Sequence, residues 1–513
     1  MGVAWVFLHL ALTHTVAAAR APEAAAAAAA RAPGAAAAAA ARARGAGGGA
    51  PCETALDCQL NGVCAAGRCV CDPAWKTANC SVLNLLPAKP GQGYGQRGSS
   101  VSSWGGGVIR DPVSSKYYMH VAEMVNNCGL GMWGVNSRCV LAEAGTAGGP
   151  YTRVATVVDA WCHGPSLGLD PATGTWLFGH MGDGTKPRSK TPPGCRVCRD
   201  GTTASGNSTL YPCPKAAEAV DTPFALTASH PTGPWQQAAY IENGANSEPF
   251  FLPNGTLFFV GGGGFFGGIT RYESLAHALA GRGNGTAWGP TRTVLGGTND
   301  TVSSDAVHWE DPTLWVDKRG HFHVLAHAWR GQDEDWPAPG CHKSQNVSWN
   351  EPPFWRMTWP GPCTSNGGHA YSVDGREWNI SPVPPYTAET EFEDGSTVFW
   401  RARERPHVVF NEHGELAYLL NGVGDPISVN CSNGRSTPGR VPTDPTACQC
   451  PDSEFYPCPP QTGGENIGGP GGDHTFTLLQ GIATASMIET GADDNADDAR
   501  PASAVAATAG VAR

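Results

Sequence analysis

Two acidic residues stand directly before prolines in neighbouring copies of a repeated sequence pattern, in Ser247-Glu248-Pro249 and in Glu310-Asp311-Pro312. Paired carboxyl groups can do acid and base chemistry, because one holds a proton for a leaving group while the other activates water or attacks the electrophile. A lone Glu-Pro or Asp-Pro is more often a turn or the start of a strand. The shared repeat position makes us expect that Glu248 and Asp311 point toward a common centre.

The repeated pattern occurs five times and consists of a short strand, a turn at Asp or Asn, and a second strand rich in aromatic residues. The turn residues are Asp111, Asp170, Asn254, Asp317 and Asn411, and five positions earlier stand Gly106, Pro165, Pro249, Pro312 and Pro406. Four copies continue with a second hairpin turn, at residues 148–151, 232–235, 286–290 and 372–378. Four strands per repeat, arranged radially, make a propeller blade. We therefore predict an all-β fold, a five-bladed β-propeller over residues 100–482, with its last strand near residues 473–480.

The composition agrees with many short strands. The chain has 67 Gly and 42 Pro, and only 15% of its residues are charged. Long helices tolerate Gly and Pro poorly, because Gly costs backbone entropy and Pro lacks an N–H. The net charge of −11 argues against nucleic acid as a partner, since phosphate binding needs a basic face.

The two ends of the chain differ from the repeats. An apolar start followed by small residues predicts a secretory signal peptide at residues 1–19; the alternative is an uncleaved anchor, although the segment is short for a membrane span. We expect an Ala-rich linker at 20–50, a disordered acidic, Ala-rich tail at 483–513, and no transmembrane span after signal cleavage. Eighteen cysteines and several Asn-x-Ser/Thr sites predict a secreted, extracellular, disulfide-bonded glycoprotein.

Six cysteines within residues 51–81 follow the spacing C-x5-C-x5-C-x4-C-x-C-x8-C. Fifteen pairings are possible in principle. The spacing and the run from Asn61 to Trp75 resemble an EGF-like domain, and the resemblance implies the pairs Cys52–Cys64, Cys58–Cys69 and Cys71–Cys80. The Gly that usually follows the aromatic residue is absent around Lys76. No acidic residue precedes Cys52, so we expect no calcium there.

Five blades with x-Pro strand starts, together with the hairpin from Ala228 to Trp235, resemble the five-bladed propeller glycosidases of glycoside hydrolase family 43. The resemblance implies a sugar-binding funnel over the propeller axis, with Glu248 as general acid and Asp311 as the base or the residue that tunes the acid. The first blade departs from the family, because Gly105 and Gly106 stand where an acid is usual. Candidate substitutes are Asp159, Glu310 and Glu404.

Other side chains would line the same funnel and bind substrate by stacking or by hydrogen bonds. These candidates are Trp104, His163, Trp309, Arg403, Arg405 and His407. The alternative is that they pack the blades. His321, His323 and His327 could share a strand face, and Cys195 and Cys198 could bind zinc, but an ordinary strand and disulfides are favoured. We expect no cofactor and no metal.

Two functions remain open. The chain is a secreted hydrolase that acts on the glycosidic bonds of an extracellular polysaccharide, or it is a non-catalytic adhesion or matrix protein that binds glycan or protein. In the second case the EGF-like module would offer a surface for an extracellular protein partner. The two acids favour the first function, and the missing first-blade acid favours the second.

Overall fold

The computed structural model describes residues 49–95, 102–124, 137–158, 162–181, 224–240, 246–261, 268–280, 285–289, 292–295, 309–328, 366–427 and 475–490. These residues belong to one compact unit, Gly48–Arg513. The other unit, Met1–Gly47, lies outside the described residues, and with it the predicted signal peptide and nearly all of the predicted linker.

A small disulfide-bonded module comes first. A 3-10 helix, Ala55–Cys58, precedes a hairpin of β1 (Gly62–Ala65) and β2 (Arg68–Cys71), and a second pair joins β3 (Trp75–Lys76) to β4 (Val82–Leu83). The disulfides confirm the pairing that the EGF resemblance implied: Cys52–Cys64, Cys58–Cys69 and Cys71–Cys80. Three bridges in so short a segment take the place of a large apolar core.

The other strands of the described residues build five sheets. In chain order they are β5 (Gly93–Tyr94), β6 (Ser102–Arg110), β7 (Tyr117–Met124), β8 (Ser137–Ala144), β9 (Thr152–Val158), β10 (His163–Leu169), β11 (Trp176–Met181), β12 (Phe224–Ala228), β13 (Gln236–Tyr240), β14 (Glu248–Phe251), β15 (Leu257–Val260), β16 (Ile269–Tyr272), β17 (Thr286–Gly289), β18 (Arg292–Leu295), β19 (Trp309–Val316), β20 (Phe322–Ala328), β21 (Asn366–Ser372), β22 (Glu377–Ile380), β23 (Glu389–Glu391), β24 (Thr397–Phe410), β25 (Leu416–Ile427) and β26 (Thr475–Gly481).

Each sheet is one blade. Blades one to three are the antiparallel meanders β6–β9, β10–β13 and β14–β17. Blade four is β19–β22 with β18 added in parallel outside β22, and blade five is β23–β26 with β5 added outside β26. The inner strands β6, β10, β14, β19 and β24 contact one another in that order, and β24 contacts β6. The ring is closed, which confirms the predicted five-bladed propeller.

Apolar side chains fill the spaces between neighbouring blades. Phe258 and Leu314 pack between blades three and four, and Leu177 and Leu257 pack between blades two and three. A disulfide between Cys139 and Cys162 ties β8 to the residue before β10 and so links blades one and two covalently. Hydroxyl pairs link β6 to β26 where blade one meets blade five: Ser102 Oγ–Thr475 Oγ1, 3.0 Å, and Ser103 Oγ–Thr477 Oγ1, 3.2 Å.

Three boundaries differ from the sequence prediction. Residues 286–289 form β17 and not a turn, because blade three returns through the short helix α1 (Leu275–Leu279), which Ser274 caps by accepting a hydrogen bond from the His277 N–H. The propeller includes β5, before the predicted start at residue 100. The tail predicted to be disordered from residue 483 instead continues into helix α2 (Ala485–Thr490), and the rest of it lies outside the described residues.

The EGF-like module packs against blades four and five. Trp75 and Leu83 share one apolar cluster with Trp315 and Leu325 of blade four and Leu419 of blade five. Burial of this surface removes apolar area from water, which stabilises the docked arrangement.

Polar contacts fix the orientation of the module. The Arg319 guanidinium pairs with Asp72 and donates to the Leu60 carbonyl at 2.8 Å, and the Leu83 N–H donates to the Pro385 carbonyl at 2.9 Å. Arg319 lies in the turn after β19, whereas Asp311 lies near the start of that strand. The module therefore contacts the end of the inner strand that is remote from Asp311. Among the described residues, no helix is long and apolar enough to cross a membrane.

The shared cluster predicts that the module stabilises the propeller. Trp75 is 6% exposed, so Trp75→Ala should lower the free energy of unfolding of the whole chain by about 3–5 kcal/mol. Guanidinium chloride denaturation measures this change. The control is Val113→Ala, because Val113 is 91% exposed and its loss should change the free energy by less than about 0.5 kcal/mol. Equal stability of Trp75→Ala and wild type would show that the module does not pack on the blades in solution.

Candidate functional site at the propeller axis

Four of the five inner strands share a local irregularity at the same level of the ring. The pairing with the next strand is interrupted between Trp104 and Gly107, and at the matching places in β10, β19 and β24. One residue at each of these four places has a left-handed backbone: Gly105 (φ 59°), Gly164 (φ 51°), Asp311 (φ 53°) and Arg405 (φ 51°). In blade three, where the pairing is regular, Asn246 (φ 59°) just before β14 has the same conformation. Left-handed backbone is unfavourable for residues with a side chain, and such strain concentrates at functional sites.

In blade three, the residues that correspond to the repeat positions of the other blades differ from the sequence prediction. Its first turn closes with a hydrogen bond from the Leu252 N–H to the Thr256 carbonyl, the bond that Asp317 and Asn411 make in blades four and five. Leu252, and not Asn254, is therefore the equivalent turn residue, and the left-handed position belongs to Asn246. Glu248 stands two residues further on, level with His407 of blade five. Proline spacing concealed this shift, and the only sequence signal for Asn246 is the tolerance of Asn for positive φ.

A small recess, partly open to solvent, lies on the axis at this level. Its lining brings together residues from all five blades. They are Gly106, Gly164, Pro165, Ser166, Asn246, Ser247, Glu248, Asp311, Pro312, Arg405, Pro406 and His407. The structure thus places both predicted acids, Glu248 and Asp311, in one recess.

Each acid has a basic partner from blade five. His407 Nδ1 lies 2.9 Å from Glu248 Oε1. Arg405 Nη2 lies 3.4 Å from Asp311 Oδ1 and donates to Asn246 Oδ1 at 2.8 Å. All four charged or titratable side chains are mostly buried, so these interactions are screened less than pairs on the surface.

The glycines of blade one make room for the two bases. A Cβ on Gly105 would lie 2.5 Å from Arg405 Cδ, and a Cβ on Gly107 would lie 2.5 Å from His407 Cε1. The missing first-blade acid thus has a structural reason, because Arg405 occupies that space. Among its suggested substitutes, Asp159 lies outside the described residues, and neither Glu310 nor Glu404 is among the lining residues.

Burial sets the electrostatics around Asp311. Burial raises the pKa of Asp311 to about 7; the charge of Arg405 opposes this rise, and the nearby Glu310 carboxyl adds a smaller contribution to it. Burial also raises the pKa of Glu404 well above its ordinary value, with Glu310 and Asp311 adding to the effect. Glu310, Asp311 and His327 bring possible metal-ligand atoms within 4.8 Å of one another. Arg405 already supplies positive charge to Asp311, so we assign no metal there.

Several buried polar atoms in the recess have no hydrogen-bond partner. They are Ser166 Oγ, Asp311 Oδ1 and Arg405 Nε. An unpaired buried polar group is costly, and a ligand or water that offers both donors and acceptors would satisfy these three atoms.

Four of the six predicted substrate-binding residues are buried within the blades. Trp104 and Trp309 are 2% and 3% exposed and pack on Gly422 and Gly368, where no larger residue would fit. Arg403 is fully buried and donates to Asn421 Oδ1 at 3.0 Å and to Gln480 Oε1 at 2.8 Å. His163 is 3% exposed. None of Trp104, His163, Trp309 and Arg403 is among the residues that line the recess, and their binding of substrate stays a prediction.

Arg405 and His407 do line the recess, and their binding of substrate stays a prediction. His323 does not face the recess with them. Its Nδ1 lies 3.2 Å from His369 Nε2, and its ring stacks on that of Trp315, beside the EGF-like module.

Comparison with known proteins gives a clear match only for the small module. The family described as a teneurin-like EGF domain matches residues 56–83. No curated protein matches the sequence.

Solved structures with a similar arrangement include several glycosidases. The GH43 BlXynB protein of Bacillus licheniformis is 10% identical, with 65% of this chain and 54% of that chain covered and a TM-score of 0.35. Xylan beta-1,4-xylosidase of Bacillus halodurans is 12% identical, with 65% and 51% covered and a TM-score of 0.35. Exo-beta-1,3-galactanase of Phanerochaete chrysosporium is 9% identical, with 65% and 60% covered and a TM-score of 0.34. The chain spans between a half and two thirds of these proteins, and the likeness concerns the fold alone.

The contact between Gly105 of blade one and the Arg405 side chain of blade five predicts a coupled effect on stability. Gly105→Ala should destabilise the protein by about 1–3 kcal/mol, because the new methyl group meets Arg405 and the backbone is left-handed. In the double variant Gly105→Ala/Arg405→Ala the steric part of this cost should disappear, giving a coupling energy above about 0.5 kcal/mol in a denaturation cycle. Strict additivity would contradict the contact.

Proposed function

We propose that the recess binds the terminal sugar of an extracellular glycan and that Glu248 and Asp311 catalyse hydrolysis of its glycosidic bond. The observation that carries the proposal is the meeting of two carboxyl groups from blades three and four in one recess. Hydrolysis of a glycosidic bond passes through an oxocarbenium-like transition state, which needs a proton for the leaving oxygen and a carboxylate on the opposite side.

The polar lining supports a carbohydrate ligand. Asn246, Ser166 and the guanidinium of Arg405 offer donors and acceptors at the recess. No aromatic side chain other than imidazole is among the described lining residues, so recognition would rest on hydrogen bonds and not on ring stacking. A small recess surrounded by blades suits one end of a chain better than its middle.

An extracellular setting fits the covalent chemistry of the chain. Four disulfides lie within the described residues, three in the EGF-like module and one between blades. Disulfides persist in oxidising compartments and are rare in the cytosol. Together with the predicted signal peptide, they support a secreted protein that meets polysaccharide outside the cell.

A second candidate function is glycan binding without hydrolysis. The observation that favours it is that side chains of blade five occupy the space where blade one would carry an acid. Each of the two carboxyls that line the recess also has a basic partner from blade five. Such neutralised pairs can serve as hydrogen-bonding groups for a ligand without any proton transfer. A propeller of this kind, joined to an EGF-like module, would act in adhesion or in the extracellular matrix.

A direct assay of the full chain distinguishes the two functions. Purified protein is screened against aryl glycosides and polysaccharides, beside Glu248→Gln and Asp311→Asn. For an enzyme, each substitution should lower kcat/KM by about 10²–10⁴-fold, because it removes one partner in proton transfer.

Glu391→Gln is the matched control, since Glu391 is exposed on β23. It should keep full activity, and thermal melting should show that all variants are folded. Hydrolysis that survives in both Glu248→Gln and Asp311→Asn would refute the proposed enzyme. Measurable glycan binding with no turnover in any variant would establish the second candidate.

A further inference from the structure

We infer that Asn254, in the first turn of blade three, is an acceptor for an N-linked oligosaccharide. The pattern Asn-x-Ser/Thr marks possible acceptors but does not say which of them suit the folded chain. Within the described residues the pattern occurs at Asn79, Asn254 and Asn379. The surroundings of these three side chains differ and favour Asn254. The inference is independent of the chemistry in the recess and needs only passage through the secretory pathway.

Asn254 lies at the tip of the turn between β14 and β15. The Leu252 N–H donates to the Thr256 carbonyl and the Gly255 N–H donates to the Leu252 carbonyl, each at 2.9 Å. Pro253 and Asn254, between these bonds, are exposed. A side chain at the tip of a short surface turn has solvent around it, so a bulky hydrophilic group attached there has room.

The two polar atoms of the Asn254 amide have different roles. Its Oδ1 accepts a hydrogen bond from the Thr256 N–H at 3.1 Å, as in an Asx turn. Its Nδ2, the atom that would carry the sugar, makes no hydrogen bond to any of the described residues. Substitution of this nitrogen therefore leaves the hydrogen bonds of the turn in place.

The other two sites are less suited to a glycan. Asn379 lies in β22, which pairs with β21 on one side and with β18 on the other, and its side chain is half-buried. Asn79 is half-buried too, and its Oδ1 accepts from Thr77 Oγ1 at 3.1 Å beside the disulfide of Cys80. A large hydrophilic group fits poorly where its point of attachment is partly enclosed. We therefore assign only Asn254.

The Asn254 turn lies at the end of β14 that is remote from the recess. That strand begins at Glu248, which lines the recess, and Asn254 follows it by six residues. At about 3.3 Å per residue the two are up to about 20 Å apart. A Cβ on Gly255 would lie 3.0 Å from Ala172 Cβ, so the turn borders blade two. A glycan on Asn254 would thus extend beside blades two and three and leave the recess open.

The transfer balances with a lipid-linked oligosaccharide pyrophosphate as the co-reactant. Asn254 Nδ2 forms a bond to the anomeric carbon of the first sugar as the bond between that carbon and the pyrophosphate oxygen breaks. The electron pair of the broken bond leaves with the pyrophosphate, and Nδ2 gives one proton to a base of the transferase. Nothing is oxidised or reduced.

The burial of Thr256 indicates when the transfer takes place. The acceptor pattern requires a hydroxyl group two positions after Asn, and Thr256 is 4% exposed in the folded blade. A transferase that contacts this hydroxyl cannot reach it once β15 has paired with its neighbours. We therefore expect transfer to the nascent chain, before blade three folds.

Mass spectrometry of the expressed protein tests the assignment. The full chain is produced in eukaryotic cells behind a signal peptide of established function, and secreted and cell-associated protein are both digested. We expect most of the peptide that contains Asn254 to be recovered as an intact glycopeptide. The intact mass is needed because Asn254-Gly255 can also deamidate spontaneously, and the Asp formed would imitate a released glycan. Recovery of this peptide without sugar would overturn the inference.

Variants within the acceptor pattern are the matched controls. Asn254→Gln and Thr256→Val should each remove one glycan from the chain, and Thr256→Ser should keep it. Thr256→Val retains Asn254 and removes only the hydroxyl group. Variants that fold poorly stay informative, because the transfer precedes folding and cell-associated chains are measured too. After complete enzymatic deglycosylation all variants should migrate together on a gel. An Asn254 glycopeptide that persists in Thr256→Val would contradict the assignment.

Two treatments of the wild-type protein test exposure and timing. An endoglycosidase should release the Asn254 glycan from native protein at a rate within about threefold of the rate for denatured protein, because the turn is exposed. Glycan-free protein from a bacterial periplasm, offered to microsomal transferase and its lipid-linked donor, should be modified at Asn254 only after reduction and unfolding. Release that requires unfolding would contradict the exposed position, and modification of the folded protein would contradict the order of events.

Discussion

The irregular pairing of the inner strands is the constraint on which the site depends. Regular strands send alternate side chains to opposite faces, into the spaces between blades. Two unpaired residues and a left-handed backbone redirect Asp311 and Arg405 to the axis. A left-handed L-residue costs about 1–2 kcal/mol, which packing on both sides of each strand outweighs. A closed ring of five inner strands then brings the redirected side chains together.

Basic side chains of blade five, which fill space left by glycines of blade one, lie beside the acids of the ring. Glycines on blade one leave space, and Arg405 and His407 enter it from blade five. Each base meets a carboxyl from another blade, so the site contains two acid–base pairs in a partly dry environment. The pairs differ in one respect that matters for chemistry. Glu248 lies 2.9 Å from an imidazole nitrogen, and Asp311 lies 3.4 Å from a guanidinium and close to the Glu310 carboxyl.

The EGF-like module belongs to the same folded structure as the blades. Its Trp75 shares an apolar cluster with blades four and five, and Arg319 joins it to the turn that follows β19. The segment after the module then adds β5 to blade five, so the module and the ring closure are continuous in the chain. Because these contacts lie at the end of β19 remote from Asp311, the module supports the ring without entering the recess.

The sequence by itself determined the parts of the structure that depend on local patterns. The resemblance of the cysteine-rich segment to an EGF-like domain implied the three pairs of the module. Repeated strand-turn-strand segments predicted five blades, because turn residues act within a few positions of the chain. The tertiary structure alone decided the register of blade three, which puts Asn246 at the left-handed position, and the burial of Trp104 and Trp309. Strand register depends on hydrogen bonds to the next strand, and burial depends on side chains that are distant in sequence. For the same reason, no local pattern revealed that His407 meets Glu248 across the axis.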